Sequence, residues 1–144
     1  MTHGAYYNEI DRNAAAWLRE LIKAGLIADG DVDERSITEV NPNDLRGYTQ
    51  CHFFAGIGVW SYALRIAGWP DDRCVWTGSC PCQSFSTAGK REIGDARNQL
   101  FREYCRLLEG LRPRAFVMEN VSGMVKGDFK IARLNVKQSA VPKT

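Results

Sequence analysis

No stretch of this 144-residue sequence is apolar for long enough to span a bilayer. The polar opening MTHGAYYNEIDRN has neither an apolar core nor a small-residue cleavage site, so it does not read as a secretory leader. An excess of charge of one sign is also lacking. Lys and Arg number 19 against 17 Asp and Glu, for a net +2. Bulk charge therefore neither demands nor excludes a nucleic-acid partner, since a local basic patch can hide in a near-neutral total. There is no internal repeat and no low-complexity tract. The five cysteines (51, 74, 80, 82 and 105) are odd in number and sit mostly in apolar text, which points to free thiols in a reducing, cytosolic setting.

What is present is an ordinary globular mixture, 44% hydrophobic and 25% charged, on a chain long enough for one domain with one core. Residues 5–10, AYYNEI, read as a short strand. Asp11 is placed to cap a helix over 14–25, in which Ala14, Trp17, Leu18, Leu21 and Ile22 share a face and Gly25 is the stop. RSITEV (35–40) reads as a second short strand and NPNDLRG (41–47) as turn chemistry. TQCHFFAGIG (49–58) is an apolar strand entering a glycine turn, and VWSYALRIAG (59–68) is a helix ending at Gly68. RCVWTGSC (73–80) is a strand, 81–98 a loop and 98–111 an amphipathic helix with Leu100, Phe101, Tyr104, Leu107, Leu108 and Leu111 on one face. RAFVMENV (114–121) reads as a buried strand with a polar end. Strands alternating with helices imply an α/β fold with an open, mainly parallel sheet. Functional groups in such sheets gather beyond the strand carboxyl ends. Gly56 and Gly58, Cys80 to Cys82, and Glu119 with Asn120 all fall there.

Each group admits a bland reading beside a chemical one. The turn FAGIG lacks the third glycine of a dinucleotide fingerprint and the Lys-Ser/Thr of a phosphate loop, so it suits a nucleoside without polyphosphate, or is a plain turn. Glu9, at a strand end, can accept two ribose hydroxyls, or is a surface or capping acid. Cys80-Pro81-Cys82 has one intervening residue, where zinc knuckles have two to four and redox pairs usually two. A metal site would need His52 and Cys74 to arrive by accident of folding. Cys80 reads as a buried thiol. Cys82 follows a proline, opens a polar loop and has Lys90 and Arg91 downstream, a setting in which a thiol becomes a nucleophile. Glu119, emerging from a strand expected to be buried, should have a raised pKa and be able to donate a proton, unless it simply faces solvent.

Taken together, these stretches resemble the cytosine-5 DNA methyltransferase family. Phe54-Ala55-Gly56-Ile57-Gly58 resembles its S-adenosylmethionine loop. Pro81-Cys82-Gln83 with Phe85-Ser86 resembles its catalytic loop, continued by Ala88-Gly89-Lys90 and Asp95-Ala96-Arg97-Asn98. Glu119-Asn120-Val121 resembles its cytosine-recognition strand. The resemblance implies a Rossmann-like sheet of the class I methyltransferase type. It implies S-adenosylmethionine as cofactor, held by residues 54–58, Glu9, Ile37 and Ser36, with Asp33 the other choice for the adenine amine. It implies a flipped cytosine in double-stranded DNA as substrate, attacked at C6 by Cys82 while Glu119 engages N3. Asn120 and Pro81 would hold the loop, and Gln83, Ser84, Ser86, Lys90 and Arg97 would meet DNA. It further implies a cytoplasmic, bacterial or phage-encoded enzyme of the restriction–modification kind.

Two departures from the family pattern stand out. The ribose acid and the adenine segment normally lie between the glycine loop and the catalytic cysteine, but here the text that looks like them, NEIDRNAAAWLRELI and SITEV, comes first. This implies a circular permutation, compatible with the sheet if its crossovers stay right-handed. The chain also stops soon after ENVSGMVKG. The expectation is a partial cofactor-binding and catalytic domain over 1–127 and a divergent tail over 128–144, without a target-recognition domain. The alternatives are an inactive remnant or one half of a split enzyme needing a second chain, and a small cysteine metal-binding module.

Overall fold

The computed structural model describes residues 3–81 and 96–119. Five strands, β1 (His3–Asn8), β2 (Gly30–Asp33), β3 (Tyr48–Phe53), β4 (Val75–Gly78) and β5 (Phe116–Met118), form one sheet in the order β2-β1-β3-β4-β5. Every neighbouring pair is parallel. Three helices, α1 (Arg12–Lys23), α2 (Val59–Ile66) and α3 (Ala96–Leu111), make the described fold the expected α/β, Rossmann-like type. The register aligns Asp33, Asn8, Phe53, Gly78 and Met118 in one row across the sheet. The residues just past that row, which carry the candidate chemistry, therefore emerge side by side.

Local chemistry sets most of the boundaries. The Asp11 carboxylate accepts the Ala14 N–H at 2.8 Å and starts α1, and Gly25, with φ +67°, follows its end. Within α1 the fully buried residues are Ala15 and Leu18, whereas Trp17 is 53% exposed, so the inward line runs one residue away from the face expected for Trp17. RSITEV is not a strand. Ser36 and Glu39 form a capping box around a single 3₁₀ turn, Ile37–Glu39, a local pairing that outcompetes the β-branched content of the segment. The strand beside β1 is instead the polar GDVD of β2, whose place comes from pairing with β1. The last strand is also less covered than expected. β5 is one of the two outer strands among the described residues, with Val117 41% exposed.

The two sheet faces are covered differently. On the first face, Ala5 and Tyr7 pack with Leu18, Ile27 and Ala28 under α1. α2 lies on this same face, because Ser61 sits 3.0 Å from the Tyr7 hydroxyl and accepts the Ala28 N–H at 3.0 Å. On the second face, Tyr6, Cys51, Phe53 and Trp76 pack with Tyr104, Leu107 and Leu108 of α3 and with Ile37, Val40 and Leu45 from the β2–β3 connection.

This placement decides the hand of each crossover. From β1 to β2 the chain steps one way along the sheet over the first face. From β2 to β3 and from β4 to β5 it steps the other way over the second face, which is the same hand. From β3 to β4 it steps that other way over the first face, which is the opposite hand. Since parallel crossovers are overwhelmingly right-handed, β3–α2–β4 is the left-handed exception to the expectation for a permuted sheet. The cause is visible in the packing. α2 stays anchored by Ser61 to Tyr7 of β1, as a helix leading into β1 would be, and the chain then returns across the first face, where the Pro70 carbonyl accepts from Gln50 Nε2 of β3 at 3.2 Å.

Candidate functional site

β1 and β3 are neighbours, so the residues leaving them meet although 47 positions separate Glu9 from Gly56. Glu9 Oε2 accepts the Gly56 N–H at 2.6 Å, and Oε1 accepts the Asp11 N–H at 2.9 Å. Each oxygen of an ionised carboxylate has two acceptor positions, so two remain for an incoming pair of hydroxyls. The turn itself is shaped by left-handed backbone. Phe54 has φ +52°, a costly value for a residue with a side chain, and Gly56 has φ +54°. A Cβ on Gly56 would meet no atom within 4 Å, so this side of the turn faces open space. Gly58, with φ +82°, is packed instead, since a Cβ there would fall 3.1 Å from Leu18 Cδ2. Ala55 is buried, its N–H donating to the Asn8 carbonyl at 3.0 Å. Ile57 is 60% exposed beside the turn. Ile10, which sequence reasoning did not single out, is 67% exposed directly after Glu9. Its signal was an apolar residue in an otherwise polar strand exit.

The adenine-side candidates sit one strand farther along. Asp33 is not a free carboxylate. Arg35 engages it through Nε at 3.1 and 3.0 Å and through Nη2 at 2.7 Å, and the Tyr6 hydroxyl donates to it at 2.8 Å. Burial pushes the Asp33 pKa up, but these donors outweigh it and hold the group below its ordinary value. The same contact, after burial, raises Tyr6. Ser36 caps the 3₁₀ turn through Thr38, and Ile37 is buried in the core on the second face. Ile37 thus offers little surface to a ligand, and Ser36 presents only what its capping role leaves.

At the end of β4, Cys80 is buried with its thiol 3.9 Å from the Pro81 carbonyl, and Pro81 is exposed. Cys82, Gln83, Ser84, Ser86, Lys90 and Asn120 lie outside the described residues. Arg97 lies in the first turn of α3, with its side chain outside the described part. Glu119 directly follows β5, its N–H donating to the Gly78 carbonyl at 3.1 Å, and its side chain is exposed. The burial expected at this strand end is therefore absent among the described residues. His52, weighed with Cys74 as a metal ligand, has both ring nitrogens engaged: Nδ1 at 2.8 Å from the Thr77 hydroxyl and Nε2 at 3.1 Å from Gln50 Oε1. Burial lowers its pKa to about 4, partly offset by Asp71, so the ring is neutral.

Among known proteins, the family model for C-5 cytosine-specific DNA methylase matches residues 2–140. Similar curated proteins include the type II methyltransferase M.XorII of Xanthomonas oryzae pv. oryzae, 47% identical over 67% of this chain and 19% of its own length. M.NaeI of Lentzea aerocolonigenes is 30% identical over 89% of this chain and 24% of its own length. M.NgoPII of Neisseria gonorrhoeae is 55% identical over 43% of this chain and 18% of its own length. This chain thus spans no more than about a quarter of the length of the curated relatives it matches. No solved structure matches it.

Proposed function

The chain belongs to the C-5 cytosine-specific DNA methylase family, and from that premise we propose that it forms the S-adenosylmethionine site and nucleophile-bearing region of an enzyme that methylates C5 of cytosine in double-stranded DNA. One observation carries the reading: Glu9, far away in the chain, accepts the backbone N–H of Gly56 at 2.6 Å, next to an open, left-handed glycine turn. This is the arrangement a nucleoside needs, an acid for ribose hydroxyls beside backbone that allows close approach. Exposed Ile10 and Ile57 supply apolar surface for the base. Described residues thus fit the cofactor, and the fit forms only because the strand order brings the two segments together.

The chemistry assigned to the chain follows from residue type. The Cys82 thiolate adds to C6 of a flipped cytosine, and Glu119 bonds N3 and the exocyclic amine, which favours the addition. Bound S-adenosylmethionine supplies the methyl group. Loss of the C5 proton then expels Cys82. Pro81 limits the freedom of the approach, and Asn120 holds the loop. Residues 1–127 are assigned as the partial catalytic domain and 128–144 as a tail. A second reading, binding of the cofactor without methylation by this chain alone, is favoured by the share of the relatives it spans.

Calorimetry tests the cofactor site. E9A should weaken S-adenosylmethionine binding by about 1–3 kcal/mol, the scale of a charge-assisted hydrogen bond. Unchanged affinity would remove the assignment. DNA carrying 5-fluorocytosine tests the nucleophile, with the remainder of a relative supplied in trans. A covalent adduct should form, disappear in C82A and survive in C80A, and an adduct mapping to Cys80 would overturn the assignment.

A further inference from the structure

Trp60 stands in the first turn of α2, two residues beyond Gly58. Its indole Nε1–H donates to the Ser79 hydroxyl at 2.8 Å. Ser79 is the first residue past β4 and leads through Cys80 into Pro81 and Cys82. The bond therefore ties the glycine turn to the segment, Ser79 to Pro81, that precedes Cys82. It also spans the left-handed connection: α2 is anchored over β1 by Ser61, while Ser79 belongs to the exit of β4.

Filling space between α2 and β4 would need only a ring. The N–H adds something a phenyl ring lacks, a directional bond to a residue outside its own helix. On the α2 side the bond is mounted rigidly. The Gly58 N–H donates to the Ala55 carbonyl at 3.0 Å and the Tyr62 N–H to the Gly58 carbonyl at 3.1 Å, so turn and helix form one unit. A ligand that settles the turn settles Trp60 with it.

Resting on the function proposed above, we propose that Trp60 is a positioning residue: through Ser79 it sets the residues that lead into Cys82 relative to the cofactor turn. Occupancy of the turn is then felt at the thiol, and breaking the bond uncouples the two without removing either.

The test uses the full chain, S-adenosylhomocysteine as the ligand and iodoacetamide as the thiol probe, with Cys82 resolved from the other cysteines by peptide mass. In the parent chain, saturating ligand should change the Cys82 alkylation rate by about three- to tenfold, the scale of one net hydrogen bond read as linkage. W60F and S79A should each bring that ratio close to one while ligand affinity stays within about twofold of the parent. S79T, which keeps the hydroxyl, should keep the parent ratio; a packing role alone would not distinguish it from S79A in this way. W60F or S79A retaining the parent ratio overturns the proposal. So does loss of ligand affinity in W60F, which would make Trp60 part of the binding site instead. A parent chain that does not bind the ligand at all is a different result: it defeats the cofactor reading, and this inference falls with it.

Discussion

The two faces of the sheet are ordered by different forces. On the face covered by α1 and α2, Leu18 and Ile27 make an apolar patch over β1, but the layer over β3 and β4 is polar and satisfied. His52 is bonded at both nitrogens, Gln50 reaches Pro70, and Tyr7, stacked on His52 with ring centroids 5.0 Å apart, donates to the Ala28 carbonyl at 2.6 Å. Under α3 the layer is aromatic. Phe53 meets Trp76 and Tyr104 at 5.3 Å and Tyr6 at 5.9 Å between centroids, all tilted. The Tyr104 hydroxyl, buried in that layer, has no hydrogen-bond partner among the described residues. Directional bonds dominate the α2 side of the first face, where a helix departs from the usual crossover. Shape and apolar burial hold the second. Polar networks specify one geometry at the cost of desolvation, whereas aromatic packing supplies more stability with less direction.

The most severe way to break the comparison is at the centre of the aromatic layer. F53A should cost about 3–5 kcal/mol in urea unfolding, the range for a fully buried phenyl ring. A loss near 1 kcal/mol would mean that this face relaxes around the gap and is not held by shape.

The polar face should announce itself through pH. With only two histidines in the chain, the window between pH 5 and 7 belongs largely to His52. Its folded pKa of about 4 lies below the unfolded value of 6.5. The unfolded state therefore binds the proton more readily, and stability is lost as pH falls below 6.5, until the penalty is complete below about 4. Roughly 2 kcal/mol should disappear between pH 7 and pH 5. Denaturation at the two pH values checks this, with imidazole NMR to confirm that the ring stays neutral at pH 5. A flat profile would show that His52 gains its proton without cost.

Two smaller tests sharpen the contrast. G58A forces a side chain into left-handed backbone and against Leu18 and Leu21, and should cost about 1–2 kcal/mol. G56A, with left-handed backbone but open space, should cost less in thermal unfolding; equal costs would mean that packing against α1 is unimportant there. Y104F removes a hydroxyl that has no partner among the described residues and should leave stability unchanged or raise it by up to about 1 kcal/mol. A clear loss in calorimetric unfolding would instead show that the hydroxyl holds a bonded group.

Much of this was legible in the sequence because it is local. The Asp11 cap and the stops at Gly25 and Gly68 depend on residues a few positions apart. So does the apolar stripe of α3, whose Tyr104, Leu107 and Leu108 are buried as their spacing demands. Local spacing also encodes the turn at 37–39: Ser36 with Glu39 is a capping-box spacing, and it makes a 3₁₀ turn where Ile37, Thr38 and Val40 suggest a strand. The polar GDVD of β2 had no such signal, since its strand identity comes from pairing with β1.

The sequence by itself therefore determined the alternation of strands and helices, the turn at Phe54–Gly58 and the three motif segments in chain order, all set by spacing and residue type. Only the tertiary structure decided that Glu9 would reach Gly56, that Asp33 would be consumed by Arg35 and Tyr6, that Ile37 would turn into the core and that Glu119 would follow an outer strand. It alone decided the left-handed path through α2. The physical reason is common to all of these. Strand order and the choice of sheet face follow from which surfaces bury one another across tens of residues, and no local spacing encodes that partnership.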